Sequence, residues 1–218
     1  MKEIRELVRK DMLLELRQKY AINGILLYVV STIFVVQLCY GRVIDESAWI
    51  ALFWIILLFA AFNAVSKSFV QESAFRRLYY FSLASAVSVV LSKIIYNALL
   101  MMILGILSLL VFVLFMGMPS FSMGLFLPAF LLGCIGISAS LTMVSAIASR
   151  SGNNAALMAI LGFPVVVPLL LLLVNTSKIS LKAEIIAAEI IKSLSALLMI
   201  DTVVVVLAVI LFPYLWRD

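Results

Sequence analysis

Apolar residues come along the chain in six long stretches, and the polar residues gather in the short breaks between them. A helix crosses the hydrocarbon core of a bilayer with roughly 20 apolar residues. The stretches accordingly predict spans over about residues 21–40, 49–66, 87–116, 123–149, 155–174 and 194–211. Gly41, Asp45 and Glu46 mark the first turn, Gly117 and Pro119 end the third span, and Arg150-Ser-Gly-Asn-Asn154 separates the fourth from the fifth. The third stretch is longer than a bilayer requires, which puts its start around Lys93 at the interface or in the cytoplasm. Between Asn175 and Lys192, Ile179, Ala183, Ile186 and Ile190 recur at helical steps, predicting a short helix on the outer membrane surface.

Residues 1–20 are too charged to span. At 100° per residue Ile4, Leu7, Val8 and Met12 share one side, but Asp11 and Glu15 fall inside that stripe. The segment reads as a partly amphipathic interfacial helix. It is expected to stay uncleaved, because the apolar run after it is too long for a signal peptide and ends at Cys39-Tyr-Gly-Arg42 without an A-x-A type site. The fold class is thus an all-α polytopic membrane protein: an interfacial helix over 1–20 and a six-span domain over 21–218, with a cytoplasmic segment over 67–86.

Basic residues orient this arrangement. Lys2, Arg5, Arg9, Lys10, Arg17, Lys19, Lys67, Arg76, Arg77, Lys93, Arg150 and Arg217 fall on one side, against Arg42, Lys178, Lys182 and Lys192 on the other. The richer side is the cytoplasmic one, so both termini are expected there. The same rule accounts for the net charge of +5 without any role for nucleic acid.

Composition then narrows the chemistry. Hydrophobic residues make up 66% and charged residues 12%, so nearly all of the chain is committed to the membrane. No GxxxxGK[ST] phosphate loop occurs, and an ATPase acting with this chain would be another polypeptide. Histidine is absent, which removes the commonest metal ligand and the best proton-transfer group near neutral pH. No catalytic residue, bound cofactor or metal site is expected. Cys39 and Cys134 lie at different depths, too far apart for a disulfide.

Two polar features invite a functional reading. In the segment after the second span, Glu72 and Arg76 stand at i, i+4 within Gln71-Glu72-Ser73-Ala-Phe-Arg76-Arg77-Leu78-Tyr79-Tyr80, consistent with a short charged helix able to pass a push from a cytoplasmic partner into the bundle. A solvated loop whose arginines only set orientation accounts for the same residues. Asp201 falls near the middle of the sixth span, where an ionisable group is costly and marks function by default, unless it is protonated and hydrogen-bonded within the bundle. Gln37, Asn63 and Asn97 read as packing contacts, and Gly133 and Gly136, with Ser138, Ser140 and Ser145, as a face for close backbone approach. Pro164 and Pro168 suit either a hinge or a fixed bend in the fifth span.

The order of these segments resembles the haem exporter B (CcmB) family of cytochrome c maturation, permeases of the ABC-2 type, across essentially the whole chain. The resemblance is carried by Asp11-Met-Leu-Leu-Glu-Leu-Arg17 through Gly24, by Phe69-Val-Gln-Glu-Ser73, by Gly152 through Pro168 and by the ending Phe212-Pro-Tyr-Leu-Trp-Arg-Asp218. It implies a dimer with a second copy of the chain, a separate ATP-binding subunit (CcmA-like), a haem-handling membrane protein (CcmC-like), a small accessory subunit (CcmD-like) and surrounding lipid. Haem is then the substrate of the pathway, and ATP is bound by the partner. Gln71, Glu72, Ser73, Arg76, Arg77, Leu78, Tyr79 and Tyr80 match the place where such permeases meet the ATPase. Many relatives have a glycine after the acidic residue and a proline before the third span, where this chain has Ala74, Phe75, Ser85 and Ala86. An ABC-2 exporter of a lipid, glycan or drug, or a non-transporting scaffold for haem delivery, fits the same architecture. An intramembrane enzyme fits it least, because no acid/base pair can be assembled.

Overall fold

The computed structural model describes residues 2–17, 19–41, 44–66, 85–149, 154–181 and 187–217. These form seven helices: α1 (Lys2–Arg17), α2 (Lys19–Tyr40), α3 (Glu46–Val65), α4 (Ala86–Met116), α5 (Met123–Ala148), α6 (Asn154–Ile179) and α7 (Ala187–Arg217). Six of them, α2 to α7, are long and apolar enough to cross a membrane. No strand occurs among the described residues, and the all-α polytopic class is what the structure has.

α5 is the axis of the bundle and packs against α3, α4, α6 and α7. Its central position follows from its side chains: Gly133, Gly136, Ser138, Ala139, Ser140 and Thr142 are small, so neighbours approach on every side, and 72% of its apolar stretch is buried. By contrast α2, only 17% buried over its apolar stretch, lies at the edge and shows Leu27, Phe34, Val35 and Leu38 outward. Around α5 the core is filled by aromatic rings. Trp49 meets Phe112 edge to face at 4.7 Å, Phe121 meets Phe126 at 4.6 Å, and Phe53 bridges them to Phe130.

The end of the bundle away from α1 is stitched across helices. Asp45 caps α3 by accepting from the Ser47 and Ala48 amides, and the next residue, Glu46, accepts from the Ser120 amide at 2.9 Å. Gly117, at φ +77°, turns the chain out of α4, and its carbonyl accepts from Trp49 Nε1 at 3.1 Å. The Ser122 amide donates to the Ser180 carbonyl, and Trp54 Nε1 donates to Ser177 Oγ. α3, α4, α5 and α6 are all tied there.

One sequence expectation changes. α6 runs on to Ile179 and α7 already begins at Ala187, so the residues expected to form a separate surface helix between Asn175 and Lys192 are, where described, the ends of these two helices and a turn at Ser180 and Leu181. Ile179 is buried at the close of α6, where its hydrophobic spacing serves packing rather than a membrane surface. Pro164 and Pro168 lie inside α6, which continues as α-helix through both. Ahead of α4 stands Ser85, whose hydroxyl accepts from the Ser88 amide, a side-chain cap at the place where relatives were expected to have proline.

Candidate functional site

Polar side chains enter this apolar bundle at two places that the sequence flagged only in part. The first joins α1 to α4. Asp11, the residue that spoils the apolar stripe of α1, is buried and faces Lys93, itself buried, with Nζ and Oδ2 3.2 Å apart. Lys10 approaches the other carboxylate oxygen at 3.1 Å. One turn further, Tyr96 Oη donates to Glu15 Oε2 at 3.0 Å. Leu7 and Val8 pack on the two hydrophobic clusters of the bundle, whereas Met12, expected on the same stripe, is exposed together with Leu13 and Leu14. The inward face of α1 is therefore mixed by design: apolar contacts fix its position and a buried ion pair fixes its register.

The second place is the middle of the membrane. Asp201 is the residue at the centre of the 27-residue apolar stretch Ala188–Tyr214 of α7, and it is 5% exposed. Its carboxylate lies over Gly136 of α5 and beside Leu169 of α6. A Cβ on Gly136 would collide with Oδ1, so the glycine makes the space that the aspartate occupies. Gly133, one turn earlier, takes the Trp54 ring in the same way. The small residues of α5 thus admit side chains from α3 and α7, where backbone approach was expected. Neither oxygen of Asp201 has a hydrogen-bond partner among the described residues, and the same holds for the buried Ser140 hydroxyl of α5.

Of the other polar positions, Asn97 donates to Thr142 Oγ1 at 2.8 Å, linking α4 to α5, and Asn63 bonds the Phe59 carbonyl of its own helix on the exposed side. Cys134 is buried and Cys39 exposed. Gln71, Glu72, Ser73, Arg76, Arg77, Leu78, Tyr79 and Tyr80 lie outside the described residues. The α1–α4 ion pair was missed by sequence reasoning, although Lys93 at the start of an over-long span was a signal that it needed a partner.

Six apolar helices, with small-residue α5 at their centre and a charged helix docked at one end, define a multi-pass α-helical membrane protein. The family model described as CcmB protein matches residues 2–215, and the chain belongs to that family. The family is the membrane permease component of the haem export system of cytochrome c maturation, a permease subunit and not an ATPase. No curated protein and no solved structure matches the chain.

Proposed function

We propose that this chain couples ATP hydrolysis by a separate ATP-binding subunit to haem export, or to release of a haem-loaded chaperone, as one of two permease copies in a complex with a haem-handling membrane protein and a small accessory subunit. The observation that carries the reading is the family match over residues 2–215, on a chain whose sequence holds no phosphate loop. The ATPase would engage the side that bears α1, because that side collects the basic residues and the 71–80 segment. The purified chain is expected to bring down a nucleotide-binding subunit and to show hydrolysis only in its company. ATP turnover by the rigorously purified single chain would refute the division of labour.

The proposed orientation has its own test. With Cys39 and Cys134 replaced by serine, Ser120→Cys and Lys182→Cys are expected to react with an impermeant maleimide added outside spheroplasts, and Lys2→Cys is not. Reaction of Lys2→Cys from outside would invert the arrangement.

Haem in this reading is cargo of the complex and is not held inside one chain. The space around α5 is filled by Trp49, Phe53, Trp54, Phe112, Phe126 and Phe130, all 2% exposed or less. Without histidine, axial ligation would fall to Met, Cys or Tyr, and Cys134 and Met101 are packed inside that core. The isolated chain is expected to carry no stoichiometric haem. An absorption spectrum showing one haem per chain would contradict this.

A further inference from the structure

We propose that Asp201 is a proton-binding site at the centre of the membrane, built by the space over Gly136, and that it exchanges its proton rather than holding it permanently. The inference goes beyond the permease reading and stands whether or not the chain moves haem.

Charge comes first. An ionised carboxylate in the middle of a bilayer requires a countercharge, and none is at hand among the described residues. α5, which carries Gly136, has no acidic or basic residue from Met123 to Ala148. α6, which carries Leu169, has only Lys178 in its last turn. On α7 itself Glu189 and Lys192 lie in the first turns and Arg217 at the far end. α4 also touches α7, through Val89, Val90 and Ile94 against Val204, Ala208 and Phe212, but its cation, Lys93, faces Asp11. Within the described residues, the neutralising charge that this leaves is a bound one.

The surroundings then select which cation. A metal ion demands several oxygen or nitrogen ligands, whereas the carboxylate shares its place at Gly136 with the Leu169 side chain, and no cluster of three metal-ligating side chains occurs among the described residues. A proton needs one carboxylate oxygen and no cage. Binding forms one O–H bond on Asp201 at the expense of one in hydronium and changes no oxidation state.

Exchange is indicated by what Asp201 does not do. Buried hydroxyls in this bundle give their hydrogen to backbone carbonyls, as Ser92 to Val89, Ser108 to Leu104, Thr142 to Ser138 and Thr176 to Leu172 within one helix, and Ser145 to Val65 of α3. A carboxylic acid retained only for packing would be held by the same kind of bond. Among the described residues of α5, α6 and α7, the buried side-chain atoms that have no hydrogen-bond partner are the two Asp201 oxygens and Ser140 Oγ. Ser140 lies one turn beyond Gly136, on the same side of α5. Two unpartnered polar groups, on α7 and within one turn of its contact on α5, leave the carboxyl without a fixed hydrogen-bond acceptor, so its proton is free to exchange.

The test is infrared spectroscopy of the chain in lipid nanodiscs, with Asp201→Asn subtracted from wild type so that only this carboxyl contributes. A protonated-carboxyl band that falls reversibly by at least tenfold as pH is raised, along the same curve in sodium and in potassium, is expected. Gly136→Ala, which pushes a methyl into the carboxylate, is expected to move the midpoint by about tenfold in proton affinity; a packing role alone would leave the band fixed. A band constant at every pH, no band at any pH, or a curve displaced by sodium would each overturn the proposal. Should Asp201→Asn fail to fold, Asp201→Glu keeps an acid at the site and must shift the titrating band.

Discussion

Replacing Asp11 by alanine is expected to destabilise the folded chain by about 3–5 kcal/mol, because it leaves the Lys93 ammonium buried without its carboxylate. The effect should appear as a large fall in the thermal midpoint of the detergent-purified protein and as detachment of α1, with Leu7→Cys, half-buried against the α4–α5–α7 cluster, becoming open to water-soluble maleimides. Lys93→Met alone is expected to cost less, because Lys10 still approaches Asp11 and is itself partly exposed. The double change Asp11→Leu with Lys93→Met should recover most of the loss, since an apolar pair of similar volume avoids the desolvation of two charges. Equal damage from the single and the double variants would mean that the pair contributes through something other than its charges.

The second large effect concerns the segment from Gln71 to Tyr80. Glu72→Ala, or reversal of Arg76 and Arg77 to glutamate, is expected to weaken ATPase docking or to uncouple hydrolysis from cytochrome c production. Removing one partner of a buried charged contact costs about 2–5 kcal/mol, so complex yield at matched permease levels should drop by tenfold or more; an exposed contact would cost at most about 1 kcal/mol. Membrane insertion should persist, because the basic residues before the first span still set orientation. Wild-type complex yield, hydrolysis and cytochrome c levels in all these variants would reduce the segment to a solvated loop.

What could be read from sequence was the local part of the fold. Apolar runs of membrane length announce spans by themselves, and Gly117 or Asp45 end or start helices through their own backbone and side chain. Partnerships between distant residues were not legible. Glu15 and Tyr96 are 81 positions apart, and nothing near Asp11 in the sequence distinguishes a charge that spoils an amphipathic face from one that completes it. Gly133 and Gly136 signalled missing volume, but a glycine does not encode what fills the space; Trp54 and Asp201 do so because α3 and α7 happen to cross there. Asp201 was recognisable from its own position at the middle of an apolar run, whereas its lack of partners became visible only once its neighbours were known.

The cross-helix bonds at the end opposite α1 have a mechanical corollary. Glu46 to Ser120, Trp49 to Gly117, Trp54 to Ser177 and Ser122 to Ser180 pin four helices at one level. Helices fastened at one end move as spokes about a fulcrum, and displacement then grows in proportion to distance from it. Over a hydrocarbon core of about 30 Å, a tilt of about 10° separates the free ends by about 5 Å while the fastened ends stay closed. A stroke delivered beside α1, as proposed for the ATPase, would work with the longest possible lever arm, and the opposite mouth of the bundle would be the last part to part.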